Sequence, residues 1–205
     1  MDINADGYMN DNGSAWNAED VQSSGGGVVF APDGEQLFTY VSGRNQRMQK
    51  LQTGMLSLRR DGYASLDAAA LSSQAVYFTT RPVRWDGALK FLFVNYNSSA
   101  LLRVEVRDSV TGAPIEPFTL GKCIGVRGDT TRSLVSWAGA PTDALAAIVS
   151  RGPGKAVVLH FEWAGGSLFS FWLSGRKSCG ESRGYAAAGG PGMIGGRDMK
   201  GACAG

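Results

Sequence analysis

One histidine, three cysteines and no block of like charge in 205 residues leave little material for catalysis. His160 has no Ser or Cys in a nucleophile-elbow context to serve as base, so no His-activated nucleophile is assembled by the sequence. Cys123, Cys179 and Cys203 are odd in number, widely spaced and without a histidine at metal-ligand distance. Free thiols are expected in preference to a Cys179 to Cys203 bridge, with no metal site and no cofactor. Lys and Arg total 20 against 18 Asp and Glu, a formal charge of +2, so neither nucleic acid nor an anionic membrane is called for as a partner. No apolar run approaches the roughly 18 residues of a membrane span, and MDINADGYMNDNG has neither the basic nor the apolar region of a signal peptide. The location of the protein stays open.

Glycine is abundant instead. Its 29 copies are about double the average share, and outside the tail most fall between short β-type runs, where tight turns need them. VVFA, the turn Pro32-Asp33-Gly34 and the alternating Gln36 to Ser42 predict a hairpin, which needs further surface to pack on. From Thr53 to Ser174 the strand-length runs continue: GMLSLRR, YASLDA, AVYFTT, ALKFLFVNYN, Leu101 to Arg107, RSLVSW, Lys155 to Trp163 and Ser167 to Leu173. Leu102, Val104 and Val106 are expected on the buried face, with Arg103, Glu105 and Arg107 in water. The same alternation places Val157, Leu159, Phe161 and Trp163 inward and His160 and Glu162 outward. Gly165-Gly166 predicts a tight hairpin between the last two strands. Thr142 to Val149 is the one helix candidate, capped by Thr142 or Asp143.

This pattern predicts an all-β protein, an antiparallel β-sandwich of jelly-roll or immunoglobulin-like type. Three regions follow: residues 1 to 52 with the hairpin and polar loop, 53 to 174 as the sandwich, and 175 to 205 as an irregular Gly/Ala-rich tail. GGPGMIGG in the tail lacks the Lys-Ser/Thr ending of a phosphate loop.

Arg59-Arg60-Asp61-Gly62-Tyr63, followed by Asp67, brings guanidiniums, carboxylates and a ring together in a way that suits a polyhydroxyl ligand. The same residues equally suit a turn braced by an Arg-Asp pair. Two carboxylates at this spacing do not by themselves define glycosidase chemistry. Trp85, Trp137, Trp163, Trp172 and Tyr96 lie mostly on strands and are expected to fill the core, whereas Trp16 sits in a polar segment.

Read together, QSSGGGVVF, LFTYVSGR, GMLSLRRDGYASLDA, FTTRPVRWDG, FLFVNYNSS, LRVEVRD, PIEPFTL, GKCIGVRGDTTR, VSW, LFSFWLS and RGYAAAGGPG resemble the C-terminal region of bacterial glycoside-hydrolase-like proteins. Those proteins are similar to the five-bladed propeller enzymes of glycoside hydrolase families 32 and 43, which carry a β-sandwich after the propeller. The resemblance runs from about Trp16 to about Gly192; RRDG-Y-AS-D and RGD-TR are its most specific parts. It implies that Gln22 to Arg44 ends the last propeller blade and that the sandwich is an accessory domain of a carbohydrate-active protein. It also implies that the catalytic carboxylates sit on earlier blades outside this chain, so that no catalytic residue is carried over and enzyme activity of the chain itself stays open. Gln22, Ser23, Tyr40 and Arg44 become ligand contacts beside Arg60, Asp61 and Tyr63, with carbohydrate and the rest of the propeller as partners. A free-standing glycan-binding module and a structural or protein-interaction sandwich are the alternatives.

Overall fold

The computed structural model describes residues 20–23, 27–32, 34–45, 50–68, 74–84, 89–141, 143, 145–149, 156–177, 193–194 and 197–198. The protein is all-β and antiparallel, and the one helix among these residues is a five-residue turn, α1 (Leu145–Val149). The chain divides into two compact units, the first ending at Ala64 and the second beginning at Ser65. The division therefore falls beyond the 52/53 boundary read from the sequence.

The first unit contains β1 (Asp20–Ser23), β2 (Val29–Phe30), β3 (Gln36–Asn45) and β4 (Lys50–Arg59). One edge of β3 pairs with β1 and then β2, and the other pairs along its full length with β4, from Gln36 opposite Arg59 to Asn45 opposite Lys50. The expected hairpin is thus extended to a three-stranded meander, β2–β3–β4, because GMLSLRR joins β3 instead of opening the sandwich. Alternation sets its faces: Leu37 and Val41 are buried, while Tyr40 and its cross-strand neighbour Met55 are exposed.

The second unit holds β5 (Leu66–Ala68), β6 (Val76–Thr79), β7 (Phe91–Asp108), β8 (Val126–Leu134), β9 (Val157–Trp163) and β10 (Gly166–Ser174). Two runs read as separate strands, FLFVNYN and LLRVEVRD, form the single strand β7. The strand runs on through Ser98, whose Oγ accepts the Ala100 N–H at 3.0 Å where the β8 register shifts between Ser98 and Leu102. The first half of β7 lies between β10 and β8, and the second half pairs with β9, which carries β6 on its far side. The predicted β9–β10 hairpin does not form. Gly165 and Gly166, at φ of 67° and 81°, instead pass the chain from the β9 ladder to the β10 ladder on the other half of β7.

The two halves close on one core. Leu92, Val94 and Tyr96 from the first half of β7 and Leu102, Val104 and Val106 from the second are fully buried, joined by Leu159, Phe161 and Trp163 of β9 and Leu168 of β10. Phe161 and Phe171 meet at 4.9 Å between ring centroids, linking β9 to β10 across the interior. Trp137 and Trp163 are core residues, as expected, and Trp172 stacks on Phe93; Trp16 and Trp85 lie outside the described residues.

Candidate functional site

The RRDG turn closes the first unit. Arg60 gives its backbone N–H to the Glu35 carbonyl and a guanidinium N–H to the Gly34 carbonyl at 3.1 Å, while its guanidinium lies 5.3 Å from the Phe30 ring centroid. Arg60 is therefore engaged in holding the β2–β3 turn, through the Gly34 carbonyl and the Phe30 ring. Its approach to the Asp61 carboxylate is long, 3.9 Å. Asp61 adopts φ of +51°, a conformation Asp tolerates because its short polar side chain bonds locally. Gly62 follows because a Cβ there would press on Cβ of Arg59. Asp67 belongs to β5 in the second unit, opposite Ser167.

Among the described side chains, Tyr40, Asp61 and Tyr63 are ligand candidates open to solvent, the two tyrosines at 50% and 62% exposure and the Asp61 side chain at 54%. Gln22 and Ser23 pair in register with Ser42 and Val41, and Arg44 pairs with Asp20, so the backbone brings these three candidates to one ladder; their side chains lie outside the described part. No family model, curated protein or solved structure matches the chain.

The sequence reading missed a polar row on the second unit. Thr79 on β6, His160 on β9 and Glu105 on β7 are consecutive register partners, and Thr79 Oγ1 sits 2.7 Å from His160 Nδ1. Glu105 accepts the Arg107 Nε–H at 2.7 Å and the Leu120 backbone N–H at 3.0 Å. Both Glu105 and His160 are buried, contrary to the expectation that they face water. For Glu105, the segment from Ala113 to Leu120 bonds back to β7 through the Ala113 and Phe118 carbonyls and brings the Leu120 N–H onto the carboxylate. Burial pushes the His160 pKa down and nearby Arg107 adds to the effect, against Glu105 and Glu162, so the ring is held neutral.

A second missed feature lies at the edge of β7. Where β8 has left, Val104 directs its backbone away from β9. Its N–H reaches Cys123 Sγ at 3.3 Å, and its carbonyl accepts the Trp137 indole N–H at 2.8 Å. Cys123 and Trp137 are themselves bridged by backbone, so this pair closes an otherwise open strand edge. Cys123 is a free, buried thiol whose pKa burial pushes up. Cys179 and Cys203 lie outside the described residues. Among the described residues no three His, Cys, Asp or Glu side chains group as metal ligands, and no helix is long and apolar enough to cross a membrane.

Proposed function

We propose that this chain is the accessory, non-catalytic part of a glycoside-hydrolase-like, carbohydrate-active protein, its sandwich bracing a propeller and its first unit contributing to glycan contact. The observation that carries the reading is the pair of exposed tyrosines, Tyr40 and Tyr63, on the unit where the motif resemblance predicts ligand contacts. An aromatic ring held in solvent supplies the apolar face on which a sugar ring stacks. The meander of long antiparallel strands is also compatible with the end of a propeller blade.

The test is titration of the 205-residue chain with a panel of plant, algal and bacterial oligosaccharides, followed by calorimetry. The expected result is binding without hydrolysis, lost in Tyr40→Ala or Tyr63→Ala. A flat response across the panel, or hydrolysis abolished by changing Asp61 or Asp67, would overturn the reading. A second reading, a protein-interaction surface, is favoured by one observation: Val29, Tyr40 and Met55 are all large, apolar and about half exposed on the β2–β3–β4 meander. Concentration-dependent light scattering, abolished by Met55→Asp, would select it.

A further inference from the structure

The second unit contains a cavity of about 400 Å³ walled by Phe118, Leu134, Trp137 and Leu145 and bordered by Lys90 and Lys177. This is within the size range of small-molecule sites, about 300 to 1,000 Å³. Its lining is one-sided in chemistry. Among the described residues no Asp, Glu, Asn or Gln contributes to it, so the described lining offers none of the planar carboxylates and carboxamides with which a site grips sugar hydroxyls. The indole N–H of Trp137 is committed to the Val104 carbonyl, which leaves the ring to the cavity as an apolar surface. Ser136 supplies the one hydroxyl among the described lining residues.

Charge is equally one-sided. Among the described residues the cavity carries two lysines and no carboxylate, and neither Lys90 nor Lys177 forms an ion pair. The Lys90 backbone is fixed by its N–H to the Ser174 carbonyl at 2.8 Å, at the start of β7, so one of the two charges is anchored at a rigid element. An apolar chamber bordered by two lysines, with no carboxylate in its described lining, fits a hydrocarbon body that ends in an anion. We propose that this cavity is a binding site for a small amphipathic monocarboxylate, with the hydrocarbon against Trp137, Phe118 and Leu134 and the carboxylate toward Lys90 and Lys177. The described lining belongs wholly to the second unit, and the ligand is of a different chemical class from the glycan proposed for the first.

Octanoate, octylamine and a neutral oligosaccharide serve as probes, titrated into the 205-residue chain by calorimetry. Octanoate is expected to bind saturably and the oligosaccharide to leave this site untouched. Octylamine, equal in length and opposite in charge, is expected to bind about tenfold more weakly or not at all. The double variant Lys90→Glu/Lys177→Glu should reverse that preference. Ile124→Asp, at a lining position 63% exposed and hence inexpensive to fold, should weaken octanoate in the same direction. Equal binding of octanoate and octylamine would overturn the proposal in favour of an indiscriminate apolar cavity. Absence of octanoate binding, or octanoate binding unaffected by both variants while thermal midpoints match the wild type, would overturn it as well.

Discussion

Val104 and Trp137 are joined by a hydrogen bond of 2.8 Å between a strand carbonyl and an indole N–H, in a place where water is excluded from both. The contact does two things at once: it satisfies a backbone acceptor that no neighbouring strand reaches, and it fixes the ring edge-on against Phe118 at 5.3 Å. Trp137→Phe keeps an aromatic but strands the Val104 carbonyl and shrinks the side chain. The expected loss is about 2 to 4 kcal/mol in chemical denaturation, since a buried acceptor without a partner and a cavity each carry a cost. A loss below about 1 kcal/mol would show that the edge is closed by other means.

Cys123 takes the other backbone group of Val104, its sulfur accepting the N–H at 3.3 Å. With its pKa raised by burial the sulfur stays a thiol, and both its protonation and its inaccessibility slow alkylation. In a Cys179→Ser/Cys203→Ser background, iodoacetamide is expected to modify the native protein at least a hundredfold more slowly than the chain in denaturant, an order-of-magnitude figure for a buried thiol. Mass spectrometry over time measures both rates.

His160 makes stability depend on pH in a defined direction. Its folded pKa lies below the unfolded value of about 6.5, so protons bind preferentially to the unfolded chain. The contribution is complete above about pH 6.5 and is lost as pH falls through the folded pKa. The thermal midpoint should therefore decline from pH 7 toward pH 5.5, and His160→Gln, which retains a hydrogen-bonding group toward Thr79 without titrating, should flatten that decline. Parallel curves for the two proteins would remove His160 as the source.

Two substitutions near Ser98 of β7 separate crowding from backbone strain. Gly166 has φ of 81°, and an added Cβ would collide with the Asn97 carbonyl oxygen and Ser98 Cβ, so Gly166→Ala is expected to cost more than about 3 kcal/mol. Gly128 has φ of 97° but open space around it; Gly128→Ala should cost only the conformational part, about 1 to 2 kcal/mol. Urea midpoints of both variants give the comparison.

Ser170 carries a buried hydroxyl with no hydrogen-bond partner among the described residues, next to the register shift between Leu168 and Ser170. Removing an unsatisfied group relieves its desolvation cost. Ser170→Ala is expected to be neutral or to raise stability by about 1 kcal/mol in a urea titration.

The parts of the fold legible in the sequence are those set by local alternation. Val157, Leu159, Phe161 and Trp163 are buried as their period-two spacing requires, and the same holds for Leu102, Val104 and Val106. What alternation does not encode is which strand lies beside which, and what lies over the second face. Gly165-Gly166 carries hairpin chemistry, yet β9 and β10 find different halves of β7, a long-range choice absent from the turn itself. Glu105 occupies a position of outward parity, yet it is buried, and a connection folds back to it through Leu120. GMLSLRR reads equally well as a first sandwich strand or as a third meander strand, since both demand the same spacing. Of the candidate site, Tyr40 and Tyr63 keep the exposure a ligand contact needs, whereas Arg60 is engaged within its own unit. The lysine-bordered cavity had no signature, because its lining comes from segments far apart in the chain, Lys90 to Leu92 and Trp137 to Pro141 among them.

β7 spans 18 residues and serves as partner to both halves of the second unit. The two ladders differ, but their central strand is common: opening the β9 ladder frees the same strand that β10 and β8 grip at its other end. Loss of structure is consequently shared. Amide protons of Val94 and Val106, on opposite sides of Ser98, should exchange with solvent at one common rate set by the opening of the whole unit, without a half-unfolded species between.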